Sequence, residues 1–186
     1  SNGQQTVNKA SEAVRRSADV SVGVFGMIVL SPILAAAAVA IRVQMGPGVL
    51  FRQQRQGLHG EAINLLKFRT MKHPAPGREA PEYDAERLTK LGSILRSTSI
   101  DELPSFWNLV RGDITLVGPR PLPIRYRDRY RGEEYLRFDV RPGLTGLAQV
   151  SGRNLVDWPE RLALDVKYVK ERSLVGDLKI ILRTIP

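Results

Sequence analysis

The residues best suited to chemistry are two adjacent carboxylates, Asp101 and Glu102, in the stretch LRSTSIDELPSFWNLVRGD. An Asp carboxylate can attack phosphorus and carry a phosphoryl group covalently. Mg²⁺ bound to phosphates takes only one or two carboxylates from a protein. A structural interpretation is also open, because Ser99-x-x-Glu102 has the spacing of a capping box at a helix N-terminus. The pair therefore predicts either phosphoryl chemistry or a helix cap.

Basic residues that stand in turns beside Pro and Gly favour the chemical interpretation. Arg binds phosphate oxygens through two parallel hydrogen bonds, whereas Lys acts as a point charge. Each residue alone is more often a solvated surface charge, but phosphoryl transfer needs such cations around the equatorial oxygens, beside a nucleophile and Mg²⁺. The candidate phosphate ligands are Lys67, Arg69, Arg96, Arg111, Arg120, Arg141 and Arg153.

Composition excludes several other chemistries. The chain has 186 residues, with 28 Lys and Arg against 19 Asp and Glu, a formal net charge of +9. It has no Cys, which excludes a thiolate nucleophile and Cys-ligated metal. His59 and His73, the only histidines, leave little material for a His-based metal site or a Ser-His-Asp triad. Neither G-x-x-x-x-G-K-[ST] nor G-x-G-x-x-G occurs, so the ordinary nucleotide-binding loops are missing.

An uncharged run from Val20 to Ile41 predicts a membrane segment. At about 1.5 Å per residue, a straight helix of this length could cross a ~30 Å hydrocarbon core. The alternative is a buried helix of a soluble protein. Ser31-Pro32 lies in the middle of the run, where Pro bends a helix. Basic residues flank both ends, and because such residues prefer the cytoplasmic side, a re-entrant bend is favoured over a crossing.

Hydrophobic periodicity predicts the elements that position the candidate site residues. GVLFRQQR and AINLLKFRTM flank the turn QGLHG and predict a hairpin. The Pro-rich stretch at 73–84 predicts an exposed loop. A short helix is predicted from 103 to 110, and others over three apolar stripes. The first stripe is Leu88, Leu91, Ile94 and Leu95; the second is Trp158, Leu162, Val166 and Val169; the third is Leu174, Leu178, Ile181, Leu182 and Ile185.

Together these elements predict a helix-rich α+β fold. We expect a single catalytic domain with short strands over residues 46–186. An N-terminal segment, residues 1–45, would carry the re-entrant (monotopic) membrane helix at about 20–41.

These motifs, in this order, resemble the monotopic polyprenol-phosphate phosphoglycosyl transferases, also known as the bacterial sugar transferase family. The resemblance extends from Arg16 to Thr184. It rests on Ser31-Pro32, Gly46-Pro47, Lys67-Phe-Arg-Thr-Met71, Arg96, Asp101-Glu-Leu-Pro104, Gly112-Asp113, Leu116-Val-Gly-Pro-Arg-Pro121, Arg141-Pro-Gly-Leu-Thr-Gly146 and Ala148-Gln-Val150. The chain is most similar to the small, catalytic-domain-only members, through Gly152-Arg-Asn154, Trp158, Asp165-Val-Lys-Tyr-Val169 and Asp177-Leu-Lys179.

The resemblance implies transfer of a sugar-1-phosphate from a UDP-sugar to undecaprenyl phosphate with release of UMP, as the first membrane step of bacterial glycoconjugate assembly. Asp101 would be the nucleophile that forms a covalent phosphosugar intermediate, and Glu102 the Mg²⁺ ligand. Thr145 and Gln149 would bind the nucleotide, and Ser31 and Pro32 would break the membrane helix. The implied location is the cytoplasmic face of the bacterial inner membrane, in contact with its lipid, with no nucleic acid as partner.

Three residues depart from the family pattern: Ser105, Leu147 and Ser151. None of them belongs to the Asp-Glu pair, so the implied reaction stands. The similarity to the small members favours an N-acetylated amino sugar over glucose or galactose.

Two alternatives to this enzyme remain open at the level of sequence. A membrane-tethered nucleic-acid binder is suggested by RPLPIRYRDRYRGEEYLRFDVR, where Arg alternates with Tyr126, Tyr130 and Tyr135. Acidic residues dilute that stretch, and basic residues beside a membrane segment are equally explained by anionic lipid. The other alternative is a non-catalytic scaffold on the same fold, against which the intact Asp-Glu pair argues.

Overall fold

The computed structural model describes residues 2–77, 80–152 and 157–184, in which helices dominate and the strands are short. The predicted helix-rich α+β class is confirmed. The α-helices are α1 (Asn2–Val29), α2 (Ser31–Met45), α3 (Asp84–Arg87), α4 (Lys90–Ser97), α5 (Phe106–Arg111), α6 (Leu147–Val150), α7 (Trp158–Glu171) and α8 (Leu174–Thr184). The strands are β1 (Leu50–Gln56), β2 (Ala62–Phe68), β3 (Thr115–Val117) and β4 (Gly143–Thr145). Short 3₁₀ helices occupy Leu58–Gly60, Pro81–Tyr83, Ile100–Ser105, Ile124–Arg129 and Gly132–Phe138.

Helices α1 and α2 form a bent pair around Leu30. Pro32 lies in the first turn of α2, where its missing N–H costs no hydrogen bond. The Ser31 hydroxyl donates to the carbonyl of Ile28 at 2.7 Å. The helices are therefore interrupted beside Ser31-Pro32, and the first helix begins far upstream of the uncharged run. That this interruption breaks a membrane helix stays a prediction.

Among the described residues, no single helix is both long and apolar enough to cross a bilayer. Lys9–Val29 and Ser31–Met45 satisfy the length and hydropathy requirements only together, and they are bent by 63°. Large apolar side chains on this pair face outward, among them Phe25 at 68%, Ile28 at 67% and Val43 at 79% exposure. Several exposed large apolar side chains on one helix pair are typical of a surface that contacts a partner or a membrane.

The chain divides into two compact units. The first unit comprises Ser1–Gly23, Gln54–Asn64 and Asn108–Pro186, and the second comprises Val24–Gln53 and Leu65–Trp107. The predicted division between a membrane segment, residues 1–45, and a catalytic domain, residues 46–186, is a functional division and stays a prediction.

The second unit has a core of four buried apolar residues, drawn from α2, β2 and α4: Ala37, Ile41, Phe68 and Leu95. The predicted hairpin is confirmed, since β1 and β2 pair in a two-stranded sheet. Phe51 supplies an apolar position of the first arm of the hairpin, and it is 51% exposed. Ile94 is likewise 58% exposed, because α4 buries only the side that carries Leu91 and Leu95.

The first unit has two apolar clusters built around α7. One cluster contains Val117, Val140, Tyr168 and Ile180, and the other contains Leu122, Tyr130, Phe138 and Leu162. The predicted stripe on α7 is confirmed, since all four of its residues are buried or pack against these clusters. Strand β3 pairs with β4 in parallel, with Thr115 opposite Gly143 and Val117 opposite Thr145.

Candidate active site

The two carboxylates lie on a 3₁₀ turn, Ile100–Ser105, in the second unit. Ser99 precedes the turn in a left-handed conformation (φ 57°), and its side chain makes no capping hydrogen bond to the described residues. The amide of Glu102 instead donates to the carbonyl of Ser99 at 3.2 Å. The capping-box interpretation of Asp101 and Glu102 is therefore not supported.

The C-terminal end of this turn is held by local contacts. Ser105, one of the departures from the family pattern, is buried and donates from its hydroxyl to the carbonyl of Glu102 at 2.6 Å. Helix α5 follows directly with Phe106. A Cβ added to Gly26 of α1 would lie 2.8 Å from the Phe106 ring, so a residue without a side chain is needed for α1 to approach it this closely.

Asp101 is buried, with 9% of its surface exposed, while the side chain of Glu102 is 40% exposed. Burial raises the pKa of Asp101, and the neighbouring negative charge of Glu102 raises it further. The positive charges of Lys67 and Arg96 act in the opposite direction on that pKa. Asp101 is thus a carboxylate with little water around it and with two cations that favour its ionised form.

Lys67 and Arg96 reach this turn from β2 and α4. The Lys67 ammonium donates to Oε1 of Glu102 at 2.7 Å. Arg96 donates from Nε to the hydroxyl of Thr70 at 3.0 Å. A Cβ added to Gly92 would lie 1.9 Å from the carbonyl oxygen of Thr70, so α4 packs here against bare backbone. The second unit therefore brings together four of the predicted site residues, Lys67, Arg96, Asp101 and Glu102.

Arg69 belongs to the same unit but makes structural contacts. It is buried, and its Nη2 donates to the carbonyls of Met45 at 2.7 Å and Gly46 at 2.9 Å. These carbonyls lie at the C-terminal end of α2, where a cation also interacts favourably with the helix dipole. A role of Arg69 toward substrate phosphate stays a prediction.

The first unit places Arg120 and Arg141 on neighbouring loops after β3 and before β4. The amide of Gly118 donates to Thr145, and the amide of Gly143 donates to Pro119, both at 2.9 Å. A Cβ added to Gly118 would lie 2.5 Å from the carbonyl oxygen of Arg141, so this close pairing requires glycine.

The other predicted ligands in the first unit have these positions. Thr145 shares a 2.7 Å hydroxyl contact with Thr184, and Gln149 donates to the carbonyl of Leu144 at 3.1 Å. Arg111 pairs with Asp113 at 3.5 Å. Arg153 lies outside the described residues.

Sequence reasoning missed a buried polar group in the first unit, formed by Gln56, Tyr130, Arg137 and Asp165. Arg137 and Asp165 pair at 3.0 Å, and each has only 2% of its side chain exposed. One signal in the sequence pointed to it: Asp165 lies on the apolar face of α7, between Leu162 and Val166. A carboxylate in such a position is buried and needs a partner.

The aromatic residues invoked for nucleic-acid binding are not an exposed series. Tyr130 is 1% exposed, and its hydroxyl donates to Oε1 of Gln56 at 2.7 Å. Tyr126 packs edge-on against Trp158 and lies under the guanidinium groups of Arg125 and Arg129. Tyr130 is therefore not available to stack on a base.

The sequence model of the family described as "Bacterial sugar transferase" matches residues 10–186. The chain belongs to this family, and it is an enzyme of the transferase class. The family resemblance derived from the motifs is confirmed.

Named relatives agree with this assignment. The chain is 40% identical over 172 residues to "Uncharacterized sugar transferase EpsL" of Bacillus subtilis, covering 92% of this chain and 85% of that protein. It is 42% identical over 182 residues to the "UDP-glucose:undecaprenyl-phosphate glucose-1-phosphate transferase" of Caulobacter vibrioides, covering 92% of this chain and 68% of that protein. It is 36% identical over 185 residues to "Galactosyl transferase CpsE" of Streptococcus agalactiae, covering 92% of this chain and 41% of that protein.

Proposed function

We propose that this enzyme transfers a sugar-1-phosphate from a UDP-sugar to undecaprenyl phosphate and releases UMP. Family membership supports the reaction class, and the name of the Caulobacter relative supports the two substrates. The observation that carries the proposal is the buried Asp101 carboxylate, beside Glu102 and within the field of Lys67 and Arg96.

The reaction would proceed in two displacements at one phosphorus atom. In the first, an Asp101 carboxylate oxygen forms a bond to the sugar-linked phosphorus, the bond from that phosphorus to the bridging oxygen breaks, and UMP leaves with this oxygen. In the second, a phosphate oxygen of undecaprenyl phosphate attacks the same phosphorus and the Asp101 carboxylate is released. Covalent catalysis of this kind separates the two anionic substrates in time.

The residues present fit a Mg²⁺ ion held largely by substrate. Within the described residues, no group of three or more His, Cys, Asp or Glu side chains could enclose a metal. A Mg²⁺ ion bound to phosphates needs only one or two carboxylates, and Glu102 would supply one. Lys67 contacts Oε1 of Glu102, so the ammonium and the ion would share this carboxylate. When bound, the ion would neutralise phosphate charge.

Lys67 and the arginines would hold the non-bridging phosphate oxygens, whose negative charge must be balanced as bonds form and break. Arg96 is the cation nearest to the nucleophile in sequence. Arg120 and Arg141 are proposed as phosphate ligands from the loops after β3 and before β4. Thr145 and Gln149 would contact the nucleotide.

A panel of UDP-sugars tests the proposal. Purified full chain, undecaprenyl phosphate and Mg²⁺ are incubated with UDP-glucose, UDP-galactose or an N-acetylated UDP-amino sugar, and UMP release is measured. We expect one of them to support turnover, and the sequence favours the N-acetylated amino sugar, although two named relatives are glucose or galactosyl transferases. Absence of UMP release with every donor would favour the non-catalytic scaffold.

We further propose that the bent pair of α1 and α2 enters the cytoplasmic face of the bacterial inner membrane and leaves by the same face. The 63° bend, the outward apolar side chains and the basic flanks on both sides support this arrangement. Its polar ends would remain at the headgroup level while Phe25, Ile28 and Val43 contact lipid.

Cysteine labelling tests this topology, because the chain has no native Cys. Ser17→Cys and Gln44→Cys place thiols at exposed positions on either side of the bend. We expect an impermeant maleimide to label both in inside-out membrane vesicles and neither in intact spheroplasts. Glu171→Cys, exposed on α7, provides the cytoplasmic control. Labelling of one end alone from outside would show a membrane crossing.

A further inference from the structure

The buried polar group of the first unit, formed by Gln56, Tyr130, Arg137 and Asp165, costs free energy to remove from water. Tyr130, Gln56, Arg137 and Asp165 are each 3% exposed or less. Removing two charges from water carries a desolvation penalty that their mutual attraction often fails to offset, and hydrophobic replacements of such pairs can be neutral or stabilising. Stability alone is therefore a weak explanation for this group.

Its outward hydrogen bonds converge on the backbone that carries Arg120. Arg137 donates from Nη2 to the carbonyl of Arg120 at 2.8 Å. Gln56 donates from its side-chain Nε2 to the carbonyl of Pro123 and from its backbone N–H to the carbonyl of Leu122, both at 2.9 Å. Three carbonyls between residues 120 and 123 thus accept hydrogen bonds from two buried residues.

This segment depends on such donors because it is rich in proline. Pro119, Pro121 and Pro123 have no backbone N–H, so the segment cannot form a regular helix or strand ladder of its own. The carbonyls still require partners. Residues outside the segment must supply them, and Arg137 and Gln56 do so.

The guanidinium of Arg137 is itself fixed in orientation. Asp165 accepts from its Nη2 at 3.0 Å and from its Nε at 3.3 Å, and the Tyr130 hydroxyl accepts from its Nη1 at 3.1 Å. Tyr130 in turn donates to Gln56 at 2.7 Å. The planar, rigid fork of Arg suits such a multiple contact, whereas the single ammonium of Lys does not.

We propose that Arg137 is a positioning residue for Arg120: supported by Asp165 and Tyr130, it fixes the backbone from which the exposed Arg120 side chain reaches substrate phosphate. The inference rests on the proposed function of Arg120. Positioning matters here because displacement of a catalytic group by about 1 Å can lower a rate by about 100-fold.

A double-mutant cycle on the full chain tests the coupling. We expect Arg120→Ala to lower kcat/KM for the active UDP-sugar at least ten-fold and Arg137→Lys to lower it about three- to ten-fold. If Arg137 acts through Arg120, the double variant will match Arg120→Ala within about two-fold. Effects that multiply instead would overturn the inference.

The matched control is another buried ion pair of the first unit, Arg15 with Asp177 at 2.6 Å. It has no hydrogen bond to residues 118–123 among those described. Arg15→Lys should lower the thermal unfolding temperature much as Arg137→Lys does, but its effect on kcat/KM should multiply with that of Arg120→Ala. If Arg137→Lys fails to fold, Tyr130→Phe enters the same cycle, since it removes the hydroxyl that accepts from Arg137 and donates to Gln56.

Hydrogen exchange of the peptide that contains Arg120 and Leu122 separates this inference from the proposed function. Arg137→Lys should speed its exchange, and Arg15→Lys should not. Unchanged exchange would refute the positioning role. Faster exchange together with normal kinetics for Arg120→Ala would show that the segment is held but that Arg120 does not bind substrate phosphate.

Discussion

Replacing Asp101 with Asn is expected to abolish sugar-phosphate transfer, with a loss of at least about 1,000-fold in kcat, as for other enzymes that lose a nucleophile. Asn has nearly the same shape, so the buried position should tolerate it, but its amide cannot replace the attacking carboxylate. UMP release with the active UDP-sugar provides the measurement. Asp128→Asn, an exposed carboxylate on the 3₁₀ helix Ile124–Arg129, is the control and should retain normal activity.

The covalent mechanism also predicts that Asp101 carries the sugar phosphate between the two displacements. When the lipid acceptor is withheld, radiolabelled sugar phosphate should stay attached to the wild-type chain and not to Asp101→Asn. Initial rates with both substrates varied should give the parallel lines of a ping-pong mechanism. Failure to trap the adduct, combined with converging lines, would show that both substrates bind together and that Asp101 is not a nucleophile.

Sequence periodicity predicted those elements in which the spacing of apolar residues matches the face that is buried. The stripe on α7 was found because four residues at helical spacing all meet apolar neighbours. Ile94 on α4, and Leu178 and Leu182 on α8, were predicted on apolar stripes but are exposed, since which side of a short helix is covered depends on segments distant in the sequence. The start of α1 at Asn2 was missed because polar residues there extend the helix without any apolar stripe.

The candidate site was predictable to the extent that its residues carry local motifs. Lys67 and Glu102 are far apart in sequence, yet both belong to short motifs of one family, and the structure pairs them at 2.7 Å. Arg69 belongs to the same motif as Lys67 but bonds to the end of α2, a contact that depends on where a chain segment ends. Arg137 carried no motif, because its importance arises only from the carbonyl and carboxylate that tertiary packing brings to it.

Lys67→Ala and Arg120→Ala are each expected to lower kcat/KM at least ten-fold, which corresponds to about 1.4 kcal/mol of transition-state stabilisation. Lys72→Ala and Arg127→Ala, at exposed positions in the same respective units, are the controls and should have near-normal kinetics.

The dependence of activity on pH should distinguish the role of Lys67 from that of Arg120. Lys67 lowers the pKa of Asp101, so its removal should raise that pKa further above the ordinary value of an Asp carboxylate. Because attack requires the ionised carboxylate, the acidic limb of the kcat/KM profile should move to higher pH in Lys67→Ala. The main influences on the pKa of Asp101 are burial, Glu102, Lys67 and Arg96, so Arg120→Ala should lower kcat/KM with the acidic limb in place. Near-normal kinetics for both variants would show that these cations are surface charges, and an unmoved limb in Lys67→Ala would separate Lys67 from the ionisation of Asp101.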